Sequence, residues 1–179
     1  MGFGEQGGGM VGLFNLWDQK TPSYRKIFPS YDWDDVWFVN QIINLPVILG
    51  RENVGFVKNV PNEEVKKSDA AVKAWIDQHM SGCSCLVLFC GERTYQSRWV
   101  KYELEKAHRE GMARLIIHLN GMKSRFGFPC QKGIDPYVYH GMYGPIGSGY
   151  VIKQYEWISG NGVQNIGLWI NDACLRAGK

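Results

Sequence analysis

The sequence predicts an α/β domain in which helices cover both faces of an open parallel sheet. Two short apolar runs, Cys85–Cys90 (CLVLFC) and Arg114–Leu119 (RLIIHL), show no polar alternation, as strands buried on both faces do. Segments of helical period separate and flank them. The resulting order (strand, helix, weak strand, helix, strand, helix, strand) is the pattern that builds a parallel sheet.

Each element follows from local chemistry. Tyr24 to Tyr31 (YRKIFPSY) reads as a strand that ends or bulges at Pro29, because proline cannot donate to a ladder. Asp32 reads as an N-cap, with Val36, Val39, Ile42 and Ile43 at helical spacing until Pro46. A short strand is expected near Val54–Val57. Asn62 or Ser68 caps the next helix, whose apolar side holds Val65, Val72, Trp75, Ile76 and Met80. Gly91 breaks the central strand. A helix with Val100, Leu104 and Ala107 runs to about Glu110, and the strand 114–119 follows. Turns at Asp135-Pro136 and Gly144-Pro145 lead to a strand at Gln154–Ile158 and a closing helix at Asn165–Ala177. Residues 1–23 are glycine-rich and without period, so the expected organisation is an extension over 1–23 and one domain over 24–179. Gly7 to Gly12 fits G-x-G-x-x-G formally, but no strand precedes it and no helix pattern follows, so it is not read as a dinucleotide loop.

Composition excludes several classes. With 179 residues, 45% hydrophobic and 21% charged, the chain is globular. A net charge of +3, with bases scattered among acids, offers no basic stripe for nucleic acid. The longest apolar run is six residues against the roughly 20 that span a bilayer, so no membrane segment is expected. No signal-peptide pattern opens the sequence, and five cysteines suit a reducing compartment, which together imply a cytoplasmic protein. Cys83 and Cys85 should share a strand face. No second Cys/His pair has zinc spacing, so no metal is expected.

Ligands of open parallel sheets bind beyond the carboxyl ends of the strands, where strand order reverses. The first strand ends in Ser30-Tyr31-Asp32, and the strand at 85–90 leads to a helix carrying Trp99 and Glu103 as W-x-x-x-E. Four residues apart is one helix face, and Glu103 lies about 100° to the side of the Val100/Leu104/Ala107 stripe. It should sit at the margin of the core, positioned and still ionised; the plain alternative is a surface glutamate paired with Lys106. His118 in its apolar strand reads as a core histidine, and Asp34 and Asp35 as first-turn acids favoured by the helix dipole. A phospho-acceptor domain would need an aspartate where Cys90-Gly91-Glu92 stands, and neither G-x-S-x-G nor a Walker loop occurs.

Four blocks carry a resemblance. IFPSYDWDD is similar to an opening strand ending F-S-F/Y-x-x-x-D. KKSDAAVKAWI is similar to an S-D-x-A-x-K helix, and CLVLFCGERTYQSRWVKYELEKAHREG to V-L-I-G-x-x-T-x-x-x-R-W-V-x-Y-E-I. LIIHLNGMKSRFG with GIDPYVYHG is similar to the strand and loop that follow. Over about residues 26–160 the sequence resembles the TIR-like (ThsB-type) proteins of bacterial Thoeris anti-phage systems.

That resemblance implies a flavodoxin-like fold and cleavage of NAD+, as substrate with no further cofactor, at the nicotinamide–ribose bond. An ADP-ribose-derived signal, often cyclic, would then activate an effector protein. It implies Glu103 as the catalytic residue, and Ser30, Tyr31, Asp32, Arg98, Trp99 and Tyr102 as substrate-binding positions, with the Tyr31 ring holding a base. Pro29 and the extension over 1–23 depart from the family pattern. Two rivals share the fold: a non-catalytic module that self-associates through Trp37, Phe38 and Trp75, and a nucleoside deoxyribosyltransferase-like enzyme.

Overall fold

The structure, a computed structural model, describes residues 24–45, 54–57, 61–142 and 151–179. The expected extension over 1–23, the helix stop at Pro46 and the Gly144-Pro145 turn lie outside the described residues.

Five strands, β1 (Arg25–Ser30), β2 (Val54–Phe56), β3 (Cys85–Cys90), β4 (Ala113–His118) and β5 (Lys153–Glu156), form one parallel sheet in the order β2-β1-β3-β4-β5. This is the flavodoxin-like order, whose reversal point falls between β1 and β3. Among the described residues the helices are α1 (Val36–Ile43), α2 (Glu63–Lys66), α3 (Asp69–Met80), α4 (Arg98–Arg109), α5 (Pro136–Tyr139) and α6 (Gly162–Arg176).

Strand alternation divides the core in two. Ile27, Val87, Phe89, Leu115 and Ile117 face α1 and α6, meeting Val39, Ile42, Ile166 and Ile170. Phe28, Leu86, Leu88 and Ile116 face α3 and α4, meeting Val72, Ile76, Val100 and Leu104. Every residue of β3 and β4 is buried, which is why those strands show no alternation in sequence.

Local signals set the helix starts. Asp32 caps a 3₁₀ turn (Trp33–Asp35) that leads into α1, its carboxylate accepting from the Asp34 N–H at 3.0 Å. Both candidate caps downstream act: Asn62 accepts from the Val65 N–H to start α2, and Ser68 from the Ala71 N–H to start α3. The single helix expected there is therefore two.

Two further expectations need correction. β1 does not end at Pro29; it pairs with β3 through Ser30, in the register Pro29↔Val87 and Ser30↔Leu88. The Ile27 carbonyl accepts from the Val57 N–H on the β2 side, and Pro29, two residues on, faces that same side past the last β1–β2 pair, Ile27↔Phe56. The ladder with β3 therefore requires no donor from Pro29. Cys83 and Cys85 do not share a face: β3 begins at Cys85, which lies in the α1/α6 core, whereas Cys83 packs with the α3/α4 core and donates to the His79 carbonyl. His118 is buried as expected, its Nε2 2.8 Å from Gln154 Oε1.

Candidate functional site

Ser30 is the last residue of β1, and its side chain falls on the α3/α4 face. α4 follows β3 through Gly91 and a 3₁₀ turn (Thr94–Gln96), and it packs on that face with Val100, Leu104 and Ala107 fully buried. Glu103, beside this stripe, therefore points down at the end of β1. The Ser30 hydroxyl donates to Glu103 Oε2 at 2.6 Å, with Ser30 0% and Glu103 4% exposed. The structure thus buries the glutamate beyond the marginal position expected. Lys106 is not its partner: that ammonium pairs with Asp77 at 3.2 Å and Glu110 at 2.6 Å.

Such a carboxylate is costly to bury unless hydrogen-bonded. Its charge is felt next door, where burial and the Glu103 carboxylate together hold the Tyr31 phenol well above its ordinary range. Tyr31 is 4% exposed within the α1/α6 core, so its ring is packed rather than displayed for stacking on a base, contrary to expectation. Trp33 and Trp99 are half-buried against the α3/α4 core, Trp99 one turn before Glu103.

The other expected positions separate. Asp32 lines a cavity of about 210 Å³ with Asp34, Asp35, Glu92 and Arg93. Arg98 makes a two-pronged exposed ion pair with Asp69 (2.6 and 2.8 Å) and lies over the Trp99 ring, 4.8 Å from its centroid. The Tyr102 hydroxyl donates to Asp77 at 2.7 Å. Both polar groups thus engage α3 rather than the Ser30–Glu103 pair. Of the aromatic residues expected on an association surface, Trp37 is 48% exposed, Phe38 is half-buried against the core, and Trp75 stacks on His79 at 3.9 Å.

One acid escapes local reading. Asp35 is 7% exposed; Thr94 Oγ1 donates to its Oδ2 at 2.7 Å and accepts from the Gly91 N–H at 2.7 Å. Burial pushes its carboxyl up to about 6 against the opposing effect of the Thr94 bond. Among the described residues no group of three or more His, Cys, Asp and Glu side chains is arranged to hold a metal, and no helix is long and apolar enough to cross a membrane.

A family model, "Thoeris protein ThsB, TIR-like domain", matches residues 28–124, just over half of the chain and the part that holds Ser30 and Glu103. The chain belongs to the ThsB family of TIR-like domains. Within it, the chain is 31% identical over 140 residues to the Bacillus cereus (strain MSX-D12) protein named "Putative cyclic ADP-D-ribose synthase ThsB1", covering 76% of this chain and 72% of that one. In this TIR-like domain the serine and the glutamate come from either side of the sheet's reversal point, where ligands of such folds bind.

Proposed function

We propose that this chain is a TIR-type NAD+ nucleosidase and cyclase that cleaves the nicotinamide–ribose bond and makes a cyclic ADP-ribose-derived signal, which activates an effector protein in anti-phage defence. The observation that carries the reading is the buried 2.6 Å bond between Ser30 and Glu103 at the β1/β3 reversal point. The similarity to a protein named for cyclic ADP-D-ribose synthesis supports the product class.

The chemistry asks little of the protein beyond a placed charge. Nicotinamide in NAD+ is a cationic leaving group and departs neutral without a proton donor. The ribose left behind is oxocarbenium-like, and a carboxylate beside it stabilises that charge, as in glycosidases. Glu103 supplies the carboxylate and Ser30 orients one of its oxygens. A ring nitrogen of the same molecule's adenine then attacks C1′, giving the cyclic product, nicotinamide and one proton; attack by water gives linear ADP-ribose with the same balance. Trp33 and Trp99 border this region with aromatic surface. Arg98 and Tyr102 stand outside this reading, because Asp69 and Asp77 occupy their polar groups.

The test is Glu103→Gln, which keeps the shape and removes the charge. Nicotinamide release from NAD+, followed by mass spectrometry in lysate of phage-infected cells expressing the chain, should fall by about 10²–10³-fold, the effect of one such electrostatic group. Undiminished release from a folded variant refutes the role of Glu103. Assembly of the wild type on size exclusion without any turnover supports the non-catalytic module instead.

A further inference from the structure

We infer that Asp35 is a positioning residue for Glu103: through Thr94 and Gly91 it ties the turn after β1 to the turn after β3, holding the two halves of the Ser30–Glu103 pair in register. The inference rests on the role proposed for Glu103. Ser30 ends β1 and Glu103 lies on α4, the helix that follows β3, so their 2.6 Å bond depends on how the segments beyond β1 and β3 are clamped. Asp35 stands five residues after Ser30, and Thr94 nine before Glu103. Three groups make the clamp: Thr94 Oγ1 bonds Asp35 Oδ2 and the Gly91 N–H, each at 2.7 Å, and a Cβ at Gly91 would collide with the same carboxylate. All three residues are buried. A hydroxyl donating to an ionised carboxylate makes a stronger bond than one donating to a neutral group, so the clamp is tightest when Asp35 is charged.

Among the described residues, the groups around this carboxylate pair that charge with no cation. Asp32 and Asp34 on its own turn repel it. Cys90 at the end of β3 and Cys130 face it as thiols that burial keeps protonated. Glu92 and Arg93 line the adjoining cavity, and Arg93 is bonded to Asp34 at 2.8 Å. Proton uptake by Asp35 therefore falls in a range that cells and assays visit, near pH 6.

The experiment measures nicotinamide release between pH 5 and pH 7.5 for the wild type, Asp35→Asn, Thr94→Val, Thr94→Ser and Glu103→Gln. Hydrogen exchange of segments 85–90 and 91–97 is followed in the same proteins. The wild-type rate should fall as the pH drops through about 6. Asp35→Asn should give the low rate throughout and lose that dependence. Thr94→Val should lower release more than tenfold and speed exchange over 91–97 without changing 85–90, and Thr94→Ser should restore both. Wild-type rates and pH profiles in Asp35→Asn and Thr94→Val, with Glu103→Gln inactive, overturn the inference and leave the function standing. Exchange over 91–97 that Thr94→Val leaves unchanged also overturns it, whatever the turnover. Full activity in Glu103→Gln instead removes the function itself.

Discussion

Ser30 and Glu103 are 73 positions apart in sequence and share a 2.6 Å hydrogen bond that neither strand β1 nor helix α4 could form alone. Removing the hydroxyl with Ser30→Ala leaves a buried carboxylate short of a donor. The expected loss is about 1–3 kcal/mol of stability, read from the denaturant midpoint. Nicotinamide release should drop with it, because the glutamate loses its orientation. A variant with an unchanged midpoint would show that the bond contributes nothing to the fold.

Asp35 makes this protein less stable as the pH rises. Its carboxyl is raised from 3.8 to about 6 in the folded state. The folded state therefore holds that proton more tightly. Its stabilising effect is complete below pH 4 and is lost as pH rises through about 6. Asp35→Asn is neutral at every pH. It should exceed the wild type in stability by about 1–3 kcal/mol at pH 7.5, and the gap should close toward pH 4. Thermal melts of both proteins across that range check the sign, and a wild type more stable than the variant at pH 7.5 would contradict it.

Gly91→Ala puts a methyl group against the Asp35 carboxylate, which Thr94 already fixes. Gly91 is buried, and the backbone of Gly133 lies so near that a Cβ there would in turn meet the Gly91 carbonyl. A cost of about 1–3 kcal/mol is expected, as for other overpacked positions. Chemical denaturation measures it, and Asp35→Asn in the same chain should not restore it, since the amide occupies the same space.

Arg98→Ala separates a surface role from a substrate role. Arg98 and Asp69 are each 67% exposed, and ion pairs of that kind contribute about 0–1 kcal/mol. Stability should change by less than about 1 kcal/mol, and nicotinamide release should stay within about twofold. A tenfold loss of release at unchanged stability would bring the guanidinium back to the substrate.

Much of this fold is legible in the sequence, and the exceptions share a cause. Strands β3 and β4 stand out because burial on both faces removes polar residues from the run. The caps at Asp32, Asn62 and Ser68 are local chemistry, readable without tertiary structure. The α4 stripe sets the azimuth of Glu103 but not its depth, which depends on a serine at the end of β1. Asp35 reads as an ordinary first-turn acid until Thr94, 59 residues on, is folded against it. Pro29 reads as a strand end because proline lacks a donor, and only the sheet order reveals which side of β1 needs one.

The same proline sets the chemistry of the β2 side of β1. With no hydrogen to offer on that side, it leaves β1 without a donor there just before Ser30. Replacing Pro29 with valine would restore that donor without touching the ladder to β3, so the strand that carries Ser30 would register the change on one side only.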